Sequence, residues 1–228
     1  MAKEYIGIGG VARKVGKMYI GVNGVARKVK KAYIGVNGVA RLCYSSGMSV
    51  GDSVTITSYQ TWVVPTTGTY QIQLIGAGGA GGGAYNVGGS VENKLIYTGG
   101  GGGSGYVNTI SAALTAGSTH TITIGAAGTG TGGSTYWDSS SAAGGNAGGN
   151  ATSTSPGLGG TGNANGNDGR LKYLSYTSEV AGGAGGGSGY GAGGKGGGAK
   201  QYLNGSWITD LIAPAAGTQG CCIITRTA

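Results

Sequence analysis

The chain has 228 residues, of which 56 are glycine and only 3 proline, a glycine share far above the roughly 7% of ordinary proteins. The absence of a Gly-X-Y period excludes collagen, and no apolar run reaches the length of a membrane-spanning helix. Helix is disfavoured by about 1 kcal/mol for every glycine it would contain, so the composition points to an all-β or extended-backbone protein. The first residues, MAKEYIGIGG, do not read as a secretory signal.

The formal net charge of +8 is confined to one end. Residues 1–44 carry Lys3, Arg13, Lys14, Lys17, Arg27, Lys28, Lys30, Lys31 and Arg41 against Glu4 alone, whereas the bases and acids of 45–228 cancel. Two domains follow: a basic head, 1–44, and a neutral glycine-rich body, 45–228. Since the excess belongs to the head, it speaks for attachment, and nucleic acid is not expected as a partner of the body.

The head is a repeat. YIGIGGVARKVGKM from Tyr5, YIGVNGVARKVKKA from Tyr19 and YIGVNGVARLCYSS from Tyr33 recur with a period of 14. Asn-Gly at 23–24 and 37–38, and Gly9-Gly10 in the first copy, predict tight hairpin turns, because a type I′ turn needs positive φ at both central residues. Each copy therefore reads as a small hairpin. A lone hairpin is marginal in water, so the head needs oligomerisation or docking for stability. Arg13, Lys14, Arg27, Lys28, Lys30, Lys31 and Arg41 form its basic attachment face, with a solvated strand face or a flexible basic arm as the alternatives.

In the body, Tyr70, Ile72 and Leu74 alternate with Gln71 and Gln73 as in a half-buried strand. Pro65 and Gly68 mark a turn before it. Tyr106–Leu114 and His120–Ile124, separated by Gly117-Ser118, read as a hairpin, and Cys221–Thr227 as a final strand. Between them, residues 76–198 hold 42 of the glycines. Two readings compete for these tracts: a flexible linker, or extended helices of three residues per turn whose backbones approach closely. Order is favoured by what interrupts the tracts, namely Leu95, Ile96, Tyr97, Tyr136, Trp137, Leu171, Tyr173, Leu174, Leu203, Trp207, Ile208 and Leu211, for which a solvating linker has no use.

Little in the chain suggests catalysis. His120 sits inside a strand, the carboxylates form no general acid–base pair, and Cys43, Cys221 and Cys222 lack metal-ligand spacing. NANGNDG at 163–169 contains one carboxylate, Asp168, too few for a calcium loop. Neither an enzyme nor a bound cofactor or metal is expected. Binding falls instead to aromatic side chains in the segments between tracts, since these give large contact area at low entropic cost. The candidates are Tyr85, Tyr97, Tyr136, Trp137, Tyr173, Tyr176, Tyr202 and Trp207.

Several motifs carry a family likeness. Val64-Pro65 followed by Gly-x-Tyr-x-Ile-x-Leu-Ile-Gly-Ala-Gly-Gly opens the body; Ser-Gly-Tyr-Val at 104–107, Thr-Ile-Thr-Ile-Gly at 121–125 and Ile-Ile-Thr-Arg at 223–226 follow. In these the chain resembles the glycine-rich C-terminal domains of bacteriophage tail-fibre and tail-tip adhesin proteins, and the head is similar to repeats of phage and prophage tail proteins from Gram-positive hosts. Cys221-Cys222 departs from the aliphatic residues usual in the family's terminal strand. The resemblance implies a virion protein, made in the host cytoplasm, that binds a host cell-surface glycan or protein and other tail proteins. It implies a polyglycine-II bundle on a β-sandwich and a homo-oligomer, a trimer favoured, without membrane insertion. A stiff spacer that binds nothing, and an ice-binding surface, are the other readings of the composition.

Overall fold

The structure, a computed structural model, describes residues 5–8, 11–14, 18–29, 31–36, 39–45, 47–90, 93–174, 178–204 and 206–228. The described residues are all-β, with no helix among them. In the head, β1 (Tyr5–Ile8) pairs with β2 (Val11–Lys14), β3 (Tyr19–Val22) with β4 (Val25–Lys28), and β5 (Lys31–Val36) with β6 (Val39–Ser45), all antiparallel. The pairing register repeats: Ile6 faces Arg13, Ile20 faces Arg27 and Ile34 faces Arg41. Asn23 and Gly24 adopt the positive φ, 52° and 77°, that the Asn-Gly signal predicts. The corresponding turns at 9–10 and 37–38, and Lys30, lie outside the described residues.

The body continues with β7 (Ser53–Ile56), β8 (Gln60–Val63), β9 (Gly68–Ile75), β10 (Tyr85–Ser90), β11 (Asn93–Tyr97), β12 (Val107–Leu114), β13 (Thr119–Thr123), β14 (Thr135–Trp137), β15 (Ser140–Ala142), β16 (Leu171–Leu174), β17 (Glu179–Val180), β18 (Gly198–Asn204), β19 (Ser206–Ile212) and β20 (Cys221–Arg226). Two four-stranded sheets, ordered β12-β9-β20-β7 and β15-β14-β13-β8, enclose the main core. Tyr70, Ile72 and Leu74 are fully buried there, as their alternation predicts, beside Ile56, Val64, Leu114, Ile122, Trp137, Cys222 and Ile224.

One expectation fails. β12 and β13 do not form a hairpin: β12 pairs with β9 in one sheet, and β13 with β8 and β14 in the other. The segment between them makes a tight turn in which the Ser118 amide donates to the Thr115 carbonyl, and the Gly117 amide to Val64. Leu114 and Ile122 can thereby enter the core from opposite sheets. A turn signal specifies reversal of the chain but does not say which strand becomes the partner.

The tracts are ordered by backbone hydrogen bonds that step in threes. In the tract 98–106 the amides of Gly99, Gly102 and Gly105 donate to Gly197, Gly194 and Gly191; those of Gly100, Gly103 and Tyr106 to Gly149, Asn146 and Ala143; those of Gly101 and Ser104 to Asn167 and Ala164. These bonds span 2.7–3.1 Å. The carbonyls follow the same rhythm, Thr98, Gly101 and Ser104 accepting from Gly157, Gly160 and Asn163, and Gly99 and Gly102 from Gly183 and Gly186. Gly100, Gly103 and Tyr106 accept from Gly82, Gly79 and Gly76. The tract thus has six hydrogen-bonded neighbours, where a pleated strand has two.

Glycine is required by the spacing. A Cβ on Gly100 would overlap the Leu158 carbonyl, on Gly101 the Ala184 carbonyl and on Gly102 the Gly79 carbonyl. Residues 76–84, 98–106 and 213–220 link sandwich strands to β10, β11 and β19, so the array lies between the sandwich and a second group of strands. That group comprises β10-β11-β16 and β17-β18-β19, closed over a smaller core of Ile96, Leu174, Val180 and Ala199 with Ala84 against it.

Candidate binding surface

The sheet β10-β11-β16 turns Ile96 and Leu174 inward, 0% and 1% exposed. Period-two alternation then sends Leu95, Tyr97, Leu171 and Tyr173 to its other face. Register assembles them into two rows. Tyr85 stands opposite Tyr97, which stands opposite Leu171; Gly88 stands opposite Leu95, which stands opposite Tyr173. Tyr173 is 66% exposed, Leu171 43% and Tyr85 42%, with Tyr97 and Leu95 half-buried. Directly opposed residues on one face are the closest cross-strand neighbours, so this is a single apolar and aromatic patch.

A bulge shapes one edge of the patch. The register shifts between Asn86 and Gly88, where the Asn86 Oδ1 accepts the Gly88 amide at 3.0 Å. Gly88 and Gly89 have φ of 109° and 115°, and nothing lies within 4 Å of where a Gly88 Cβ would be. The backbone beside Leu95 is therefore bare, while Lys94 and Lys172 occupy register positions on the opposite face. Lys94 Nζ donates to the Gly89 carbonyl at 3.3 Å, tying the bulge down.

Of the eight predicted aromatic contacts, the fold brings Tyr85, Tyr97 and Tyr173 together. Tyr202 and Trp207 belong to the neighbouring pair β18 and β19, where Tyr202 is opposite Ile208 and Trp207 opposite Leu203. Their side chains, and Tyr176 altogether, lie outside the described residues. Tyr136 is exposed, but on the sandwich, across the array from the patch. Trp137 is 6% exposed and part of the sandwich core, its ring stacked on His120 at 4.6 Å and 5.7 Å from Trp62; in this fold it packs and offers no surface. Leu95 and Leu171, which the sequence marks as apolar residues that argue for order, are not among its binding candidates. The signal that finds them is the alternation Leu95-x-Tyr97 and Leu171-x-Tyr173.

One constellation has the outline of a nucleophile, base and acid. Ser118 Oγ lies 3.3 Å from His120 Nε2, and His120 Nδ1 2.7 Å from Asp138 Oδ2. The Ser118 hydroxyl, however, donates to the Thr115 carbonyl at 2.8 Å, and the amides of Gly117 and Ser118 are committed to Val64 and Thr115. The donors that would stabilise an oxyanion are thus occupied. Asp138 Oδ1 also accepts the Thr121 amide at 2.9 Å. Partial burial pushes the Asp138 carboxyl up, but hydrogen bonds from His120 and Thr121 outweigh it and hold the pKa below the usual carboxylate range. The cluster fastens two turns of the sandwich.

Cys221 and Cys222 are free and buried, and burial pushes their thiols up to about 11 and about 12, which disfavours the thiolate. Asp168 accepts the Gly159 amide at 2.6 Å, and among the described residues no three His, Cys, Asp or Glu gather as metal ligands. In the head, Arg13 and Lys14 lie on β2, Arg27 and Lys28 on β4, Lys31 on β5 and Arg41 on β6. Compared with known proteins, the chain matches no family model, no curated protein and no solved structure.

Proposed function

We propose that the chain is an adhesive component of a bacteriophage tail, fibre or tip, whose body binds a host cell-surface glycan or protein and whose head attaches it to other tail proteins. The observation that carries the reading is the exposed patch of Tyr85, Tyr97, Tyr173, Leu95 and Leu171, mounted on an array stiffened through its backbone. A contiguous exposed apolar patch marks an interaction surface, and tyrosine brings contact area with a polar tip. In this reading the array is a polyglycine-II bundle: donors to three neighbours in rotation match a helix of three residues per turn. The oligomer, a trimer favoured, belongs to the same reading.

The test is binding of the purified chain to a panel of bacterial strains. Tyr85→Ala combined with Tyr173→Ala should weaken binding to a recognised strain by about tenfold or more, the loss expected of central aromatic anchors, with the thermal midpoint unchanged. Binding to no strain, by a folded chain, would favour a stiff spacer instead.

A further inference from the structure

The head has a feature that attachment alone does not specify: its three hairpins repeat the same pairing of isoleucine with arginine at identical register. In the described hairpin β3–β4, Ile20 is opposite Arg27 and Val22 opposite Val25, so these four share one face. That face is open, Ile20 being 54% and Val25 60% exposed, with Arg27 exposed beside them. The same positions hold Ile6, Ile8, Val11 and Arg13 in the first hairpin, and Ile34, Val36, Val39 and Arg41 in the third. A two-stranded ribbon is marginal in water and is stabilised by a third strand. Among the described residues each hairpin forms a sheet of only two strands, so both of its strands are edge strands.

Charge selects among the occupants. A second head brings the same excess of positive charge and is repelled. The sandwich of this chain offers no acidic face: its outward residues are Thr55, Gln73, Thr109, Ser111, Thr61, Thr121 and their like. Asp52, Asp138 and Asp168 are already engaged by local hydrogen bonds, and Glu179 and Asp210 both stand opposite Lys200 in register. A phosphodiester chain would satisfy Arg27 but gives Ile20 and Val25 nothing to bury against.

We propose that each hairpin is a docking module for an extended protein segment that alternates acidic and apolar residues. The segment adds as a third strand, with its carboxylates on the arginines and its apolar side chains on the Ile–Val face. The three copies then engage a partner that presents this segment repeatedly, and gain by avidity. This rests on the attachment half of the reading above and names the chemistry of the partner.

The probe is a labelled alternating Leu-Glu peptide of about twelve residues, long enough to span one hairpin, titrated into the full chain by fluorescence anisotropy. Arg27→Gln alters one of three equivalent modules and should weaken about a third of the peptide sites about threefold, leaving the rest unchanged, whereas the triple variant Arg13→Gln, Arg27→Gln, Arg41→Gln should weaken every site about threefold, in the range of an exposed ion pair. Arg27→Lys should restore most of the loss, and added salt should weaken the complex. Circular dichroism of each variant establishes that the strands persist. Equal or tighter binding of an oligothymidylate overturns the proposal in favour of a nucleic-acid arm. Binding that ignores the triple substitution, or a Leu-Lys peptide that binds as well, also overturns it. Cell binding depends on Tyr85 and Tyr173, which these arginine variants leave intact, so failure here and failure of adhesion are separately visible.

Discussion

The sandwich and the glycine array hold their shape by opposite means. In the sandwich, side chains do the work: Tyr70, Ile72 and Leu74 project from alternate positions of β9 into a shared apolar core. In the array the side chains are nearly gone, and the amides and carbonyls of 98–106 bond to six neighbouring segments. The first region fails when atoms are removed, and the second when atoms are added. A protein can therefore carry a stiff body with little hydrophobic core, provided that its backbone polar groups are paired with one another.

The comparison can be broken from either side. Ile72→Ala should cost about 4 kcal/mol in urea-induced unfolding, the sum of lost transfer energy and a cavity. Gly102→Ala, an addition of one methyl, should cost about 3 kcal/mol because backbone on the facing segment must move. Its control is Gly130→Ala, where nothing lies within 4 Å of the new Cβ, and which should stay within about 0.5 kcal/mol of the parent. Equal effects for the two glycines would mean that close approach is not what glycine supplies.

The smallest effect is electrostatic. Asp138 has a lowered pKa in the folded chain, so its contribution is present above the unfolded carboxylate pKa and is lost as pH falls through the folded value. Because Asp138 is substantially exposed, the contribution is about 1 kcal/mol or less. Asp138→Asn should lower stability slightly at pH 7 and flatten its decline in acid. A variant as acid-sensitive as the parent would remove this carboxylate from the account.

Period-two segments were legible in the sequence because alternation depends on nothing beyond the strand itself. Thus the burial of Tyr70, Ile72 and Leu74 and the turn at Asn23-Gly24 could be read directly. Strand partners could not: β12 and β13 look like one hairpin, and only the competition of β9, β8 and β14 for their edges divides them between sheets. The same limit applies to the patch. Tyr85, Tyr97 and Tyr173 were candidates by residue type, but that they share rows with Leu95 and Leu171 is a matter of register across three strands distant in sequence. Trp137 reads like the other aromatics until the packing of Trp62 and His120 around it is known.

Amide hydrogen exchange of the central tract bears most directly on whether glycine here builds structure. The amides of Gly100, Gly101, Gly102 and Gly103, all donated to neighbouring carbonyls, should be protected to the same extent as that of Ile72 and open only with global unfolding. Exchange of these glycines at the rate of an unstructured linker, while Ile72 remains protected, would contradict the account.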